Sequence, residues 1–221
     1  MQKQINIIFF GAPGAGKGTQ AKRLSFELNL PHIDTGNIIR GAINNKTELG
    51  IRAQEFVEGG RLVPDQLVID MIREKLIVLL GKNYKGFILD GYPRTIPQAN
   101  ALDKLFEELH LELTKVINVK AKEDILIKRL SSRRLCSNKN CGEIYNLISK
   151  KPTVEGKCDV CGSNLYQRKD DTEEAAKERL LEYHNKTAPL KKYYRDKNMI
   201  VDVDGTKDSD QVYNEIIKSL Q

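Results

Sequence analysis

Nine consecutive residues near the start of the chain, Gly11-Ala12-Pro13-Gly14-Ala15-Gly16-Lys17-Gly18-Thr19, have the chemistry to hold phosphate. Glycines let successive backbone N–H groups turn inward around phosphate oxygens, where a Cβ would block the approach. Lys17 is long enough to reach the outer phosphates, and a helix opening here adds the partial positive charge of its N-terminus. Gly11, Gly16 and Lys17 satisfy the G-x4-G-K spacing of a phosphate loop. The pattern departs at Gly18, where a serine or threonine usually offers Mg2+ a hydroxyl; Thr19 follows one place later. The alternative is a glycine-rich turn with a surface lysine. A strand before the loop and a helix after it argue against that.

A second constellation uses all four cysteines of the chain, in the spacing Cys136-x4-Cys141-x16-Cys158-x2-Cys161. In a reducing compartment such pairs favour tetrahedral Zn2+, with disulfides or free thiols as the alternatives. Gly142 and Gly162 directly follow the second cysteine of each pair, allowing a tight turn that aims N–H groups at sulfur. Four thiolates leave no open coordination position, so the expected role is structural.

These groups need elements to position them. Strand-like apolar runs occur at Ile5–Phe10, Gly86–Asp90, Lys115–Val119 and Met199–Val203, with a weaker one at His32–Ile33. Amphipathic stretches of helical length lie between them: Gly16–Leu28, Asp65–Leu80, Ile96–Leu109, Lys122–Leu135, Thr172–Lys197 and Ser209–Leu220. Alternation of this kind predicts an α/β fold with a covered parallel sheet, whose ligands sit beyond the carboxyl ends of the strands. Asp90 ends the apolar run Phe87-Ile88-Leu89, a position for a carboxylate associated with Mg2+ through water, or for a simple turn cap. Two segments break the rhythm. Residues 34–63 form a helical excursion with Gly41, Gly50, Gly59 and Gly60 as candidate pivots, and residues 132–171 carry the cysteines without helical periodicity.

The bulk numbers narrow the class. The chain has 221 residues, 40% hydrophobic and 30% charged, which suits a folded globular protein. Its longest apolar runs fall well short of a membrane span, and no secretory signal pattern is present, so a cytoplasmic protein is expected. The net charge of +6 is spread along the chain rather than massed in a strip. That disfavours a nucleic-acid-binding ATPase with a zinc ribbon and suits small anionic substrates equally well.

Further motifs follow in order: Asp34-Thr35-Gly36 with Arg40; Gly60-Arg61-Leu62-Val63-Pro64-Asp65; Leu89-Asp90-Gly91-Tyr92-Pro93-Arg94-Thr95 with Gln98; Arg168-Lys169-Asp170-Asp171; and Arg179 with Tyr183-His184. Together with the phosphate loop they resemble the nucleoside monophosphate kinases, the adenylate kinases above all, along nearly the whole chain. The resemblance implies a P-loop three-layer fold with a five-stranded parallel sheet. Its core would be 1–33, 64–131 and 172–221, with a helical AMP-binding insertion at 34–63 and a zinc-bearing lid at 132–171. It implies Mg2+-dependent phosphoryl transfer between ATP and AMP giving two ADP, in a monomer that binds neither nucleic acid nor membrane. A UMP/CMP kinase or a kinase using GTP as donor is the neighbouring possibility.

Residue roles carry over by motif. Lys17, Arg94, Arg133, Arg168, Arg179 and Asp90 would serve catalysis. Gly14, Ala15, Gly16, Lys17, Gly18, Thr19, Arg129, Arg133, Ile144, Tyr145 and Lys207 would bind ATP. Thr35, Arg40, Arg61, Leu62, Val63, Gly91, Tyr92, Pro93, Arg94, Gln98, Arg168 and Arg179 would bind AMP. The family's zinc-bearing lids usually have C-x2-C as the first pair; here Ser137-Asn138-Lys139-Asn140 makes it two residues longer. The resemblance implies a lid that delivers Arg133 and Arg168 and excludes water on closing.

Overall fold

The computed structural model describes residues 4–59, 61–82, 84–138 and 140–220. A five-stranded parallel sheet forms its centre: β1 (Ile5–Phe10), β2 (His32–Asp34), β3 (Gly86–Asp90), β4 (Lys115–Lys120) and β8 (Ile200–Asp204), in the order β2-β3-β1-β4-β8. The apolar run Ile7–Phe10 of β1 is what a strand covered on both faces requires. Ile7, Ile8, Phe9 and Phe10 are all at most 2% exposed. Each such side chain contributes roughly 1.5–3 kcal/mol by burial, so the strand that ends in the phosphate loop is a rigid platform.

Helix α1 (Lys17–Leu28) follows β1 and packs on β1, β2 and β3. Between β2 and β3 lie α2 (Thr35–Asn44), α3 (Glu48–Glu58) and α4 (Asp65–Leu80); α5 (Ile96–Glu108) joins β3 to β4, and α6 (Glu123–Ser131) follows β4. Strands β5 (Arg133–Cys136), β6 (Ile144–Asn146) and β7 (Leu165–Tyr166) make a separate antiparallel sheet in the order β6-β5-β7. Helices α7 (Glu173–Glu182) and α8 (Leu190–Asp196) then lead into β8, and α9 (Ser209–Leu220) ends the fold. Because the connections from β1 pass to β2 and β3 on one side while β4 and β8 lie on the other, a crevice opens beyond the end of β1.

Most elements stand where the pattern puts them, with ends shifted by a residue or so. Several expectations change. The helix expected over Lys122–Leu135 stops at Ser131, where the Ser131 hydroxyl donates to the Ile127 carbonyl at 3.0 Å and Ser132 bonds back to Lys128. Those local bonds compete with helix propagation, and pairing with β6 and β7 draws Arg133–Cys136 into a strand. The single helix expected over Thr172–Lys197 is split. Pro189 lacks the N–H for residue 185 and crowds its carbonyl, and the chain widens over Tyr183–Thr187, where Ala188 N–H donates to Tyr183 O at 2.7 Å.

The glycines named as pivots have other places. Gly41 lies inside α2, and Gly59 ends α3. Gly50 lies where α3 crosses α2, and a Cβ on it would sit 2.1 Å from the Ala42 carbonyl oxygen. It is a close-packing residue. Gly60 falls outside the described residues. The fourth change concerns Tyr145, treated below with the cysteines.

Candidate functional site

The phosphate loop leaves the carboxyl end of β1 and enters α1 through Gly16. Gly11 has a φ of +132°, and a Cβ there would lie 2.3 Å from the Val119 carbonyl oxygen, so no other residue fits the turn. Among the described residues, no side chain caps α1 and no acidic residue occupies its first turn. Its leading N–H groups and partial positive charge remain available to an anion. The Lys17 ammonium folds back to donate to Ala12 O at 2.8 Å. Burial, helped by the charges of Arg94, Arg179 and Arg133 and opposed by Asp90, pushes Lys17 down to about 8.

Five arginines from separate elements gather around the loop. Arg94 donates from Nε to Gly91 O at 2.8 Å, and Arg40 donates to Asn37 Oδ1 at 2.8 Å. Arg168 lies against Asp170 as a fork, with Nε to Oδ1 at 2.8 Å. Arg133 grips Asp171 through Nε at 2.8 Å and Nη2 at 2.6 Å, while Arg179 donates to Asp171 Oδ1 and to the Asp170 carbonyl, both at 2.8 Å. Burial pushes Arg40 and Arg179 down to about 10, which leaves both charged at neutral pH. Burial pushes Asp170 upward, but the bonds from Arg168 and the charges of Arg179 and Arg40 prevail and hold it well below the usual carboxylate range. Lys17 and these five arginines are six cations against Asp34, Asp90, Asp170 and Asp171, a surplus suited to phosphate.

One cleft, open to solvent, brings together Lys17, Thr35, Arg40, Arg61, Leu62, Val63, Gly91, Pro93, Arg94, Gln98, Arg168 and Arg179. Apart from Lys17, expected at the donor phosphates, these are the residues expected at the acceptor nucleotide, and one member of that set is missing. Tyr92 turns into the core, 2% exposed, and its hydroxyl donates to Gln98 O at 3.2 Å. Gln98 lies in the wall of the cleft with its amide bonded at both ends, Oε1 to Arg94 N–H at 2.7 Å and Nε2 to Asp65 Oδ1 at 2.8 Å.

Of the residues expected at the donor base, Arg129 donates to Gly205 O at 2.8 Å, next to the turn that carries Lys207. Lys207 itself is half-exposed and pairs with Glu215. Ile144 is half-buried on β6. Tyr145 departs from expectation. It is 2% exposed, with its hydroxyl 3.6 Å from Cys158 Sγ and accepting from Asp159 N–H at 2.7 Å. The alternation of β6 turns its ring into the cysteine cluster, so the side chain serves that packing.

Strand register explains the carboxylates. Asp34 pairs with Asp90 and His32 with Ile88, so His32, Asp34 and Asp90 share one face of the sheet edge. Their ligand atoms lie within 4.8 Å of one another, and Asp90 Oδ2 stands 3.4 Å from His32 Nε2. Asp90 also faces the loop, 3.3 Å from where a Cβ on Gly18 would be. A buried carboxylate beside a phosphate cradle fits a Mg2+ ion that draws its other oxygens from phosphate and water.

In the small sheet, the four cysteine sulfurs lie within 4.8 Å of one another. The Cys136–Cys161 and Cys141–Cys158 distances are 3.4 and 3.7 Å. A disulfide would need about 2.05 Å, whereas tetrahedral bonds of about 2.3 Å to zinc place sulfurs about 3.8 Å apart. All four thiols are free. Gly142 and Gly162 have φ of +59° and +71°, so the turn after the second cysteine of each pair uses left-handed backbone that favours glycine. The Ser163 hydroxyl, with its N–H, pulls Cys161 down to about 6. The donor set suits zinc.

Sequence reasoning missed Asp170 and Asp171 as arginine holders and named them only as part of the Arg168–Asp171 motif. The signal was the two acids between Arg168 and Arg179 in a segment that must sit at the cleft. It also left out Asp34, Asp65, Glu182, Tyr183 and Thr187; the last three line the cleft because the widened turn at 183–187 brings them there.

A parallel sheet of this order, ending in an uncapped phosphate loop beneath a cationic cleft, defines a phosphotransferase of the P-loop class acting on nucleotides. The protein-family model described as adenylate kinase matches residues 9–199. The chain is 49% identical over 217 residues to an adenylate kinase of Archaeoglobus fulgidus, covering 98% of each. It is 47% identical over 216 residues to that of Caldicellulosiruptor bescii and 48% over 217 to that of Thermosipho melanesiensis, covering 98% of this chain and 99% and 100% of theirs. The chain belongs to the adenylate kinase family, phosphotransferases that interconvert ATP plus AMP with two ADP. Among the described residues, no helix is long and apolar enough to cross a membrane.

Proposed function

We propose that this chain transfers the γ-phosphoryl group of Mg·ATP directly and in line to the phosphate of AMP, with no general base. An AMP phosphate carries roughly −1.5 to −2 charges near neutral pH, so the attacking oxygen has no proton to lose. The barrier lies in bringing two anionic groups together, and the task left to the protein is positioning and neutralisation. The observation that carries this reading is the convergence of Lys17, Arg40, Arg94, Arg168 and Arg179 on one cleft beside an uncapped helix N-terminus. Planar guanidinium forks match phosphate oxygens in pairs and stay charged while partly buried.

In this reading the loop from Gly14 to Thr19 holds the donor phosphates, and Lys17 leaves Ala12 O to bridge the transferring group. Arg40 and Arg94 hold the acceptor phosphate. Arg133, Arg168 and Arg179, pre-set by Asp170 and Asp171, take up the charge that develops on transfer. Mg2+ would be held beside Asp90 and supply further neutralisation of the donor phosphates. Arg129 and Lys207 take the donor base, and Gln98 reads the acceptor base. Residues 34–63 form the acceptor-side insertion, and residues 132–171 form a lid that zinc keeps rigid and that excludes water when it closes. The reading is of a monomer in a reducing compartment, where four cysteine thiolates can hold zinc.

Transfer from ATP to AMP, CMP, UMP and GMP, measured side by side, tests it. A clear preference for AMP is expected; a preference for CMP or UMP would overturn the acceptor assignment.

A further inference from the structure

The Gln98 amide is pinned more completely than contact with a ligand requires. Its backbone N–H donates to Thr95 Oγ1 at 3.3 Å, and its carbonyl accepts from Tyr92. The side-chain oxygen accepts from Arg94 N–H at 2.7 Å, and the side-chain nitrogen donates to Asp65 Oδ1 at 2.8 Å. A primary amide has two acceptor sites on oxygen and two hydrogens on nitrogen. With one of each occupied, one acceptor site and one N–H remain, and the side chain lines the cleft.

The two fixed bonds also choose which way round the amide stands. Turned by half a revolution, it would set N–H against the Arg94 N–H and oxygen against the Asp65 carboxylate. A 6-aminopurine offers a donor at its exocyclic amine beside an acceptor at N1. A 6-oxopurine offers the reverse, an acceptor at O6 beside a donor at N1–H. An amide free to turn can bond either edge, while a locked one can bond only one in a given pose. Asp65 opens α4, and its carboxylate accepts from Gln98 Nε2, which α5 carries.

We infer that Asp65 is a positioning residue that locks the Gln98 amide so that the acceptor site takes a 6-aminopurine and rejects a 6-oxopurine. This rests on the proposal that the cleft binds a purine monophosphate at Gln98. Asp65 touches no substrate in this scheme; it acts through Gln98 alone. The bond from Arg94 N–H remains in every variant but is only one half of the lock, and Asp65 is the half that substitution can remove.

The experiment compares kcat/KM for AMP, IMP and GMP in the wild type, Asp65→Ala and Asp65→Asn. The Asp65→Asn variant keeps an oxygen that can accept from Nε2 but loses the charge at the start of α4, whereas Asp65→Ala loses both. Asp65→Ala is expected to lower the AMP:IMP ratio by roughly 10- to 100-fold, mainly through a raised KM for AMP, with kcat at saturating AMP little changed. Asp65→Asn is expected to restore most of the ratio while sharing the lower melting temperature. If Asp65→Ala keeps the wild-type ratio, or if both variants lose the ratio alike in step with stability, Asp65 has no positioning role. A wild type that fails to use AMP would instead remove the reading on which the inference rests.

Discussion

At the residue scale the unusual group is Lys17, held at about 8 by burial and by the neighbouring guanidinium charges. Near pH 8 about half of it is neutral in the free protein. A bound phosphate stabilises the charged form, so nucleotide binding raises this value and takes up a proton. Titration calorimetry of Mg·ATP at pH 8 in two buffers of different ionisation enthalpy is expected to show uptake of about half a proton, with affinity falling as the pH rises further. Equal enthalpies in both buffers would contradict this. Asp170 works in the opposite direction. Held low by Arg168, Arg179 and Arg40, it contributes stability that is present above the unfolded value of about 3.9 and is lost as the pH falls through the folded one. Asp170→Asn is expected to cost roughly 3 kcal/mol in denaturant unfolding at pH 7, with the gap to wild type narrowing toward pH 2. A constant gap would remove Asp170 from the acid response. Lys17 was legible from spacing alone. Asp170 was not, because a carboxylate next to a helix start has an ordinary local explanation, and only tertiary contact reveals its partners.

At the element scale the acceptor-side excursion depends on how closely α2 and α3 approach. A Cβ at Gly50 would meet the Ala42 carbonyl at 2.1 Å, and backbone cannot yield as a side chain can. Gly50→Ala is expected to cost about 2 kcal/mol and to raise KM for AMP while leaving KM for ATP near the wild-type value. Equal changes for both nucleotides would show that the clash spreads beyond the excursion. The strands and most helices were legible because period and length agreed. The errors fell where period was ambiguous: Arg133–Cys136 continues the helical pattern of α6, and cross-strand pairing overrides it. The four cysteines reveal a metal module by spacing, but the inward turn of Tyr145 follows from the phase of β6, which three residues cannot set. Cys158→Ser is expected to reduce zinc content and melting temperature far more than turnover at low temperature, as read by metal analysis, thermal unfolding and assay at two temperatures. An equal loss of activity at every temperature would assign the metal a part in the chemistry.

At the scale of the whole molecule, a rigid parallel sheet presents one loop at its switch point, and segments distant in sequence carry cations to it. Arg40, Arg94, Arg168 and Arg179 lie on four different segments and line a single cleft, and Arg133 on a fifth joins them through Asp171, which it shares with Arg179. The surplus of positive charge there has a purpose only if two phosphates meet. Phosphorus NMR of the purified protein with Mg2+ and ADP as the sole nucleotide tests this most directly. ATP and AMP are expected to rise together in equal amounts until equilibrium, with no inorganic phosphate. Unchanged ADP, or release of inorganic phosphate with AMP and no ATP, would contradict the claim that the cleft joins two nucleotides.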